Sequence, residues 1–562
     1  MSSTGDLISR VYGGFRGADF RGDEVNLVRS PDCLNVWKDY RHTESIRTRP
    51  GLKEHTFLDG VVYGIFFHDG AMLIHCEDSL YELREGDAEP TLLYDGCYGH
   101  PSCGFSYGGY FYFMDGWNYI RYDGSEVVDV EDVAYVPTTS IGRRPSGGGT
   151  MHEDINYLSG MRINTFLADG ESKEFFLDAQ NIDSGYKPIV KVNDAVETKF
   201  SVDYTAGKIT FTTAPSAPKT DGQDNVSIQF RKTISGYADR IKKCTMCQVF
   251  DNRVFFSGNP NYPNVVYHCR LDDPAYCSDQ DYYNEGLDRA KIRSLVVGNN
   301  ALWVFRERSA EGTSIFYHTP TIDADYGKIY PSSHSSISAG CRGRAINFND
   351  DIVFFSDRGM EGISGEITTE QVAAHRSTLV DSKLVSADGY ENMVFAEWEG
   401  YLLVFIGKSV FLADSRSMFA NGNHYEYEWF YWELEKKVRC ATVQDGVLYL
   451  GCDDGVYTLT DEDADIESYW TTPKDKFNAP NKQKTTNKRG CVVEATGDIS
   501  VYVKTEDTDF ELIGTYESIT DYFVSRIKRK KWKDIQLKFH SNKRFSLETA
   551  TLEAFVGGYI KR

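Results

Sequence analysis

Nothing in this sequence approaches the ~20 consecutive apolar residues that carry a helix across a bilayer. The longest apolar runs are only residues 61–67 and 401–406, so no membrane partner is expected. The N-terminus, MSSTGDLISR, lacks the basic segment and apolar core of a secretory signal. The expected compartment is therefore the cytoplasm, with lysis as the route out. Cysteine is sparse: 12 in 562 residues is too few for a disulfide scaffold. Cys76, Cys440 and Cys452 sit in apolar runs, where a free thiol behaves as a small hydrophobe. The one spacing worth testing for metal is Cys244 and Cys247 with Cys269 and Cys277. Residues three apart on an extended strand point to opposite faces, which favours buried thiols over zinc. Basic residues are outnumbered 61 to 83, giving a formal net charge of −22. That balance argues against a free-standing reader of nucleic acid, whose surface is normally positive.

Catalytic signatures are missing as well. The sequence has no HExxH, no phosphate-binding P-loop and no dinucleotide-binding glycine fingerprint. Residues 104–108, GFSYG, match the letters of a serine nucleophile elbow, but that motif needs a strand-to-helix turn. Here the serine lies in a strand followed by another strand. The boxes of sialidase propellers are absent, with only a partial echo at Ser356-Asp357-Arg358-Gly359. Asp461, Asp463, Asp465 and Glu467 alternate and could offer oxygens to Ca²⁺. However, Ile466 occupies the place where an EF-hand loop needs glycine, so a solvated loop tip is expected. No catalytic residue, metal or cofactor is assigned.

What the sequence does have is aromatic residues, 14% of the chain, which suit a pleated, half-buried surface and point to β structure. It also has repetition. One unit recurs from about residues 60, 103, 244, 291, 341, 392 and 438: an apolar strand, a tight turn, an apolar-aromatic strand and a shorter strand. The turns fall at Asp69-Gly70, Gly108-Gly109, Asp251-Asn252, Asn299-Asn300, Asn349-Asp350, Glu399-Gly400 and Asp445-Gly446. Most of these residues tolerate the positive φ of tight hairpins. Copies some 43–52 residues apart, one long gap aside, fit one four-stranded blade each. The expected fold is an all-β propeller of six or seven blades, against an alternative of unrelated meanders in two sandwiches. Alternating strands at 150–235 predict an inserted β-sandwich, and those after about 490 a C-terminal β-sandwich or added sheet. The expected domains are an arm (1–55), blades (56–149), the insertion (150–235), further blades (236–470), and a linker with a C-terminal β domain (471–562). Helix is nearly absent, with one short piece expected near 367–375.

The strongest local charge feature is Arg526, Lys528, Arg529, Lys530, Lys531 and Lys533, interrupted by Ile527 and Trp532. Alternation would turn the two apolar residues toward a core and leave the cations outside. One reading is a solvated outer face. The other is an electrostatic dock for an acidic partner, such as another copy of this chain or an adjoining ring.

The order of parts carries a resemblance. An arm with Asp32-Cys33-Leu34-Asn35-Val36-Trp37 and Arg47-Thr48-Arg49-Pro50-Gly51-Leu52 runs straight into a blade. Segments 259–282, 294–318 and 338–364 and the late basic stretch before 535–539 follow. This pattern resembles the packaged-DNA stabilisation proteins of short-tailed bacteriophages, the tail hub or nozzle β-propellers. The resemblance spans most of the chain outside 150–235 and lies in order and texture rather than in a signature. It implies a non-enzymatic virion protein in the head-to-tail connection or tail. Such a protein forms a ring of copies, commonly six, contacts portal, adaptor or neighbouring tail proteins, helps retain packaged DNA and provides its exit. Double-stranded DNA would then pass through the lumen without sequence-specific binding. Six copies would carry on the order of −130 formal charges, which suits a wall that phosphate slides past. The competing readings are a phage adhesin whose propeller binds host glycan, and a propeller glycosidase with two converging carboxylates.

Overall fold

A computed structural model describes residues 6–559 except 43, 325–326, 365–370, 463–464, 507 and 529–530. The chain divides into two compact units: residues 1–65 with 339–562, and residues 66–338. Among the described residues there are seven four-stranded antiparallel sheets of the repeating kind. The fold is a β-propeller with an inserted β-sandwich and an added C-terminal sheet.

Four blades belong to the 66–338 unit. The first opens with Val62–His68, the strand in which the chain passes from one unit to the other, and ends with Thr91–Asp95. The others run from Cys103–Tyr107 to Val127–Asp129, from Met246–Phe250 to Tyr282–Asn284, and from Ile292–Gly298 to Ser332–His334. In the other unit, blades run from Ala345–Phe348 to Val372–His375 and from Val394–Trp398 to His424–Glu433. The last is built from Cys440–Gln444, Val447–Cys452 and Gly455–Thr460. Its fourth strand comes from the far end of the sequence: Gly51–Phe57 pairs antiparallel with Gly455–Thr460.

The second strand of each repeat supplies much of the core. Ala71–Cys76, Ala301–Arg306, Asp351–Ser356 and Tyr401–Ile406 are buried at every residue. A strand covered on both faces reads as a continuous apolar run rather than an alternation, which accounts for the aromatic load. All seven turn pairs have positive φ at both central residues, from +46° at Asp69 to +83° at Gly109. This is the type I′ geometry, whose twist matches that of the flanking strands.

The insertion is a two-layer sandwich. A six-stranded sheet (138–143, 150–151, 161–166, 189–192, 195–197 and 226–231) faces a three-stranded one (174–176, 200–203 and 208–211). Phe166, Phe175, Ile209, Phe211, Ile228 and Phe230 fill the space between them. Its first strand, Thr138–Arg143, starts ahead of the expected boundary at 150.

The ends of the chain differ from expectation. Arm segments Asp6–Gly13, Cys33–Leu34, Val36–Trp37 and Ile46–Thr48 all join the C-terminal sheet of ten strands. Of the polar stretch 471–490 expected as a linker, residues 482–490 form the start of a 24-residue strand, Lys482–Thr505. The reason is satisfied polar groups: buried Lys484 donates from Nζ to the carbonyls of Ala479 and Lys533, both at 2.6 Å. The expected helix near 367–375 is also corrected. Val372–His375 is an edge strand paired with Gly359–Ser364, because completing a blade outweighs local helix propensity. Residues 367–370 lie outside the described ones.

Candidate functional site

The ten-stranded sheet has two faces of different character. One is core: Val493, Val501, Val503, Leu537, Phe539, Leu547 and Leu552 pack with Phe15, Trp470 and blade residues such as Phe355 and Val404. On the other face, register aligns Leu7 with Phe555 and Thr485, Val11 with Thr551 and Val492, and Glu494 with Tyr522. Leu7, Val11, Tyr522, Val524 and Phe555 are between 41% and 63% exposed, apolar side chains on three strands of this face, with Lys482–Thr505 running between Phe545–Tyr559 and Tyr522–Ser525. Strand Tyr522–Ser525 then runs directly into the basic stretch.

Arg526, Lys528, Lys531 and Lys533 are exposed, whereas Ile527 and Trp532 are buried. Arg529 and Lys530 lie outside the described residues. The described residues of the stretch form a loop between Tyr522–Ser525 and Ile535–Ser541 rather than a strand. Trp532 anchors it: its backbone pairs with Lys484, and its indole Nε1 donates to Thr486 Oγ1 at 3.0 Å. Ile527 belongs to the same core. Two apolar anchors thus hold the exposed cations beside the apolar patch, and this combination can bind an acidic partner with apolar contact area of its own. The cations were legible as a charge run. The patch was not singled out, although DLISRVYG and YFVS carry apolar residues at both parities, the mark of a strand covered on both sides.

The other candidates resolve locally. Ser106 lies within Cys103–Tyr107 and pairs with the next strand. Its Oγ is 2.9 Å from His68 Nδ1, an exposed contact that the sequence reading missed because the two lie on separate repeats. The strand-turn-helix of a nucleophile elbow is replaced by a hairpin. Cys244, Cys269 and Cys277 are buried and burial raises their thiol pKa values, to about 12 for Cys269. The Cys244 thiol donates to the Arg240 carbonyl at 3.2 Å, and Cys269 Sγ accepts from Val254 N–H at 3.1 Å. Cys247 faces Cys103 instead. Asp461 is taken by Arg544 and Arg41, and Glu467 lies 3.3 Å from His540, while Asp463 lies outside the described residues. Among the described residues, no group of three or more His, Cys, Asp or Glu could hold a metal ion.

Buried carboxylates are engaged with neighbours. Glu428 pairs with Arg16 and Arg29, Asp351 with Arg376 and Tyr427, and Asp414 with Tyr40. Glu361 accepts from Ser356 and Arg358, and Glu285 lies 2.9 Å from His318.

No protein-family model matches the chain, and no curated protein matches it. Solved structures do. The computationally designed protein Ika8 is 11% identical, covering 73% of this chain and 99% of its own, with a TM-score of 0.31. BamB from Moraxella catarrhalis is 11% identical over 78% of this chain and 94% of its own, with a TM-score of 0.33. The Pan2 WD40 domain of Neurospora crassa is 9% identical over 75% and 97%, with a TM-score of 0.24. The propeller assignment is drawn from the seven meanders themselves.

Proposed function

We propose that this chain is a non-enzymatic structural protein of a bacteriophage virion, assembling as a ring in the head-to-tail connection or tail hub. In that role it retains packaged DNA and lines its exit. The observation that carries this reading is the exposed apolar face of the C-terminal sheet, edged by a cationic loop, on a chain whose net charge is −22. An apolar patch with local positive charge favours contact with acidic protein surfaces, including those of other copies and of neighbouring virion proteins. The acidic balance disfavours a grip on phosphate, so DNA slides rather than binds. The engagement of buried carboxylates by arginine, tyrosine and histidine supports a framework role over glycoside hydrolysis, which needs two carboxyl groups free to act on substrate.

Electron microscopy of the self-assembled chain, and of particles that contain it, tests the reading. Rings of copies, with density at the junction of head and tail, are the expected result. A monodisperse monomer that cleaves a glycoside overturns it.

A further inference from the structure

Where the arm, the end of the last blade and the C-terminal sheet come together, a cavity of about 350 Å³ opens. Three guanidinium groups line it, from Arg41, Arg47 and Arg544, together with the carboxylates of Asp39 and Asp461. Two of the arginines are committed. Arg41 Nε donates to Asp39 Oδ1 at 2.9 Å, and its Nη2 reaches Asp461 Oδ2 at 3.5 Å. Arg544 Nη2 donates to Asp461 Oδ1 at 2.7 Å.

Arg47 differs. It sits on Ile46–Thr48 and is half-buried. Among the described residues its side chain has one hydrogen bond, a long one from Nε to Ser45 Oγ at 3.4 Å, and no ion pair. Burial pushes its pKa down, and although Asp39 and Asp461 pull it up, Arg544 and Arg41 act with the burial. The outer edge of the Arg47 fork is thus left without an acceptor in a cavity where arginines outnumber carboxylates three to two. On a chain with 83 acidic residues against 61 basic ones, that local surplus runs against the whole.

A guanidinium fork matches the two oxygens of a carboxylate or phosphoryl group and gains from both charge and geometry. The cavity volume falls in the range of small-molecule sites, with room for a body beyond the anionic head. We propose that this cavity is an oxyanion site for a small phosphorylated or carboxylated molecule, with Arg47 as its principal ligand and Arg41 and Arg544 flanking. This inference does not depend on the virion reading.

The test is calorimetric titration of the full-length protein with inorganic phosphate and, separately, with citrate, against sodium chloride at matched ionic strength. Saturable binding of phosphate, citrate or both is expected. Phosphate alone identifies a phosphoryl site, and citrate alone a carboxylate site. Arg47→Leu should weaken binding by about tenfold or more, and Arg47→Lys, which keeps charge but loses the fork, should fall between. Should Arg47→Leu fail to fold by circular dichroism, Arg47→Lys and Arg544→Gln carry the comparison. Lys219→Ala, on the exposed surface of the inserted sandwich, should bind as the parent does. The proposal is overturned if neither anion binds saturably, if the Arg47 variants bind like the parent, or if Lys219→Ala loses binding equally.

Discussion

Glu399 is the odd residue among the hairpin tips. The other six turns use only Asn, Asp and Gly at their two central positions, whereas Glu399 is held at φ +50° with its side chain exposed. A side chain that cannot bond its own backbone gains nothing in that conformation and carries its steric cost. Glu399→Asn should raise stability by roughly 0.5–1 kcal/mol, read as a higher urea midpoint with an unchanged slope. Arg376 presents the opposite case. It is almost wholly buried, and its Nε donates to Asp351 Oδ2 at 2.8 Å beside the Tyr427 hydroxyl at 2.7 Å. Arg376→Met should cost about 3–5 kcal/mol, because it strands a buried carboxylate, and Asp351→Leu in the same chain should recover part of that loss. The turn residues were legible because glycine, asparagine and aspartate have a backbone reason to be there. Asp351, inside the run DIVFFS, was not, since its cation lies 25 positions away and arrives only through the blade's outer strand.

Two blade strands in the 66–338 unit bury histidines in their neutral form. Burial lowers the pKa of His75, on Ala71–Cys76, to about 4, and that of His268, at the end of Val265–His268, to about 3. Both folded values lie below the ordinary 6.5, so the unfolded chain takes up protons first. Stability from these two groups is full above about pH 6.5 and is lost as pH falls toward 4. Asp281 acts the other way: burial raises its pKa to about 6, so its contribution is full in acid and fades as pH rises through 6. In urea unfolding between pH 4.5 and 6.5, His268→Gln should flatten the rise of stability with pH, and Asp281→Asn should steepen it. Hairpins, blades and the insertion were legible at this scale, because each pairs with near neighbours in sequence. The arm's strands were not. Cys33–Leu34 is two residues long and pairs with Ser468–Thr471, while Val36–Trp37 pairs within the arm with Ile46–Thr48, which itself joins the sheet through Phe545–Tyr559.

For the whole molecule, the exposed face and the charge balance bear on assembly. Tyr522→Ser with Val524→Thr removes exposed apolar area that the described residues leave uncovered. Folding stability should change by no more than about 0.5 kcal/mol per site, while self-association measured by light scattering should weaken clearly. Lys528→Glu with Lys531→Glu should weaken association more at low salt than at high salt, since exposed charges are screened. The basic stretch was readable as a candidate because charge is visible in one dimension. Its apolar neighbours come from strands at opposite ends of the chain, and only the sheet register brings Leu7 beside Phe555.

The strand Gly51–Phe57 has a temporal consequence. A ribosome releases it early, yet its partner, Gly455–Thr460, emerges roughly 400 residues later, about 20–80 s at ordinary elongation rates. Throughout that interval the nascent N-terminus is a strand without a ladder, and Asp6–Gly13 waits longer still, for Phe545–Tyr559. Closure of the last blade therefore trails the synthesis of its first-made strand by that interval, and chains terminated before residue 455 leave edge-forming segments open to pairing between molecules.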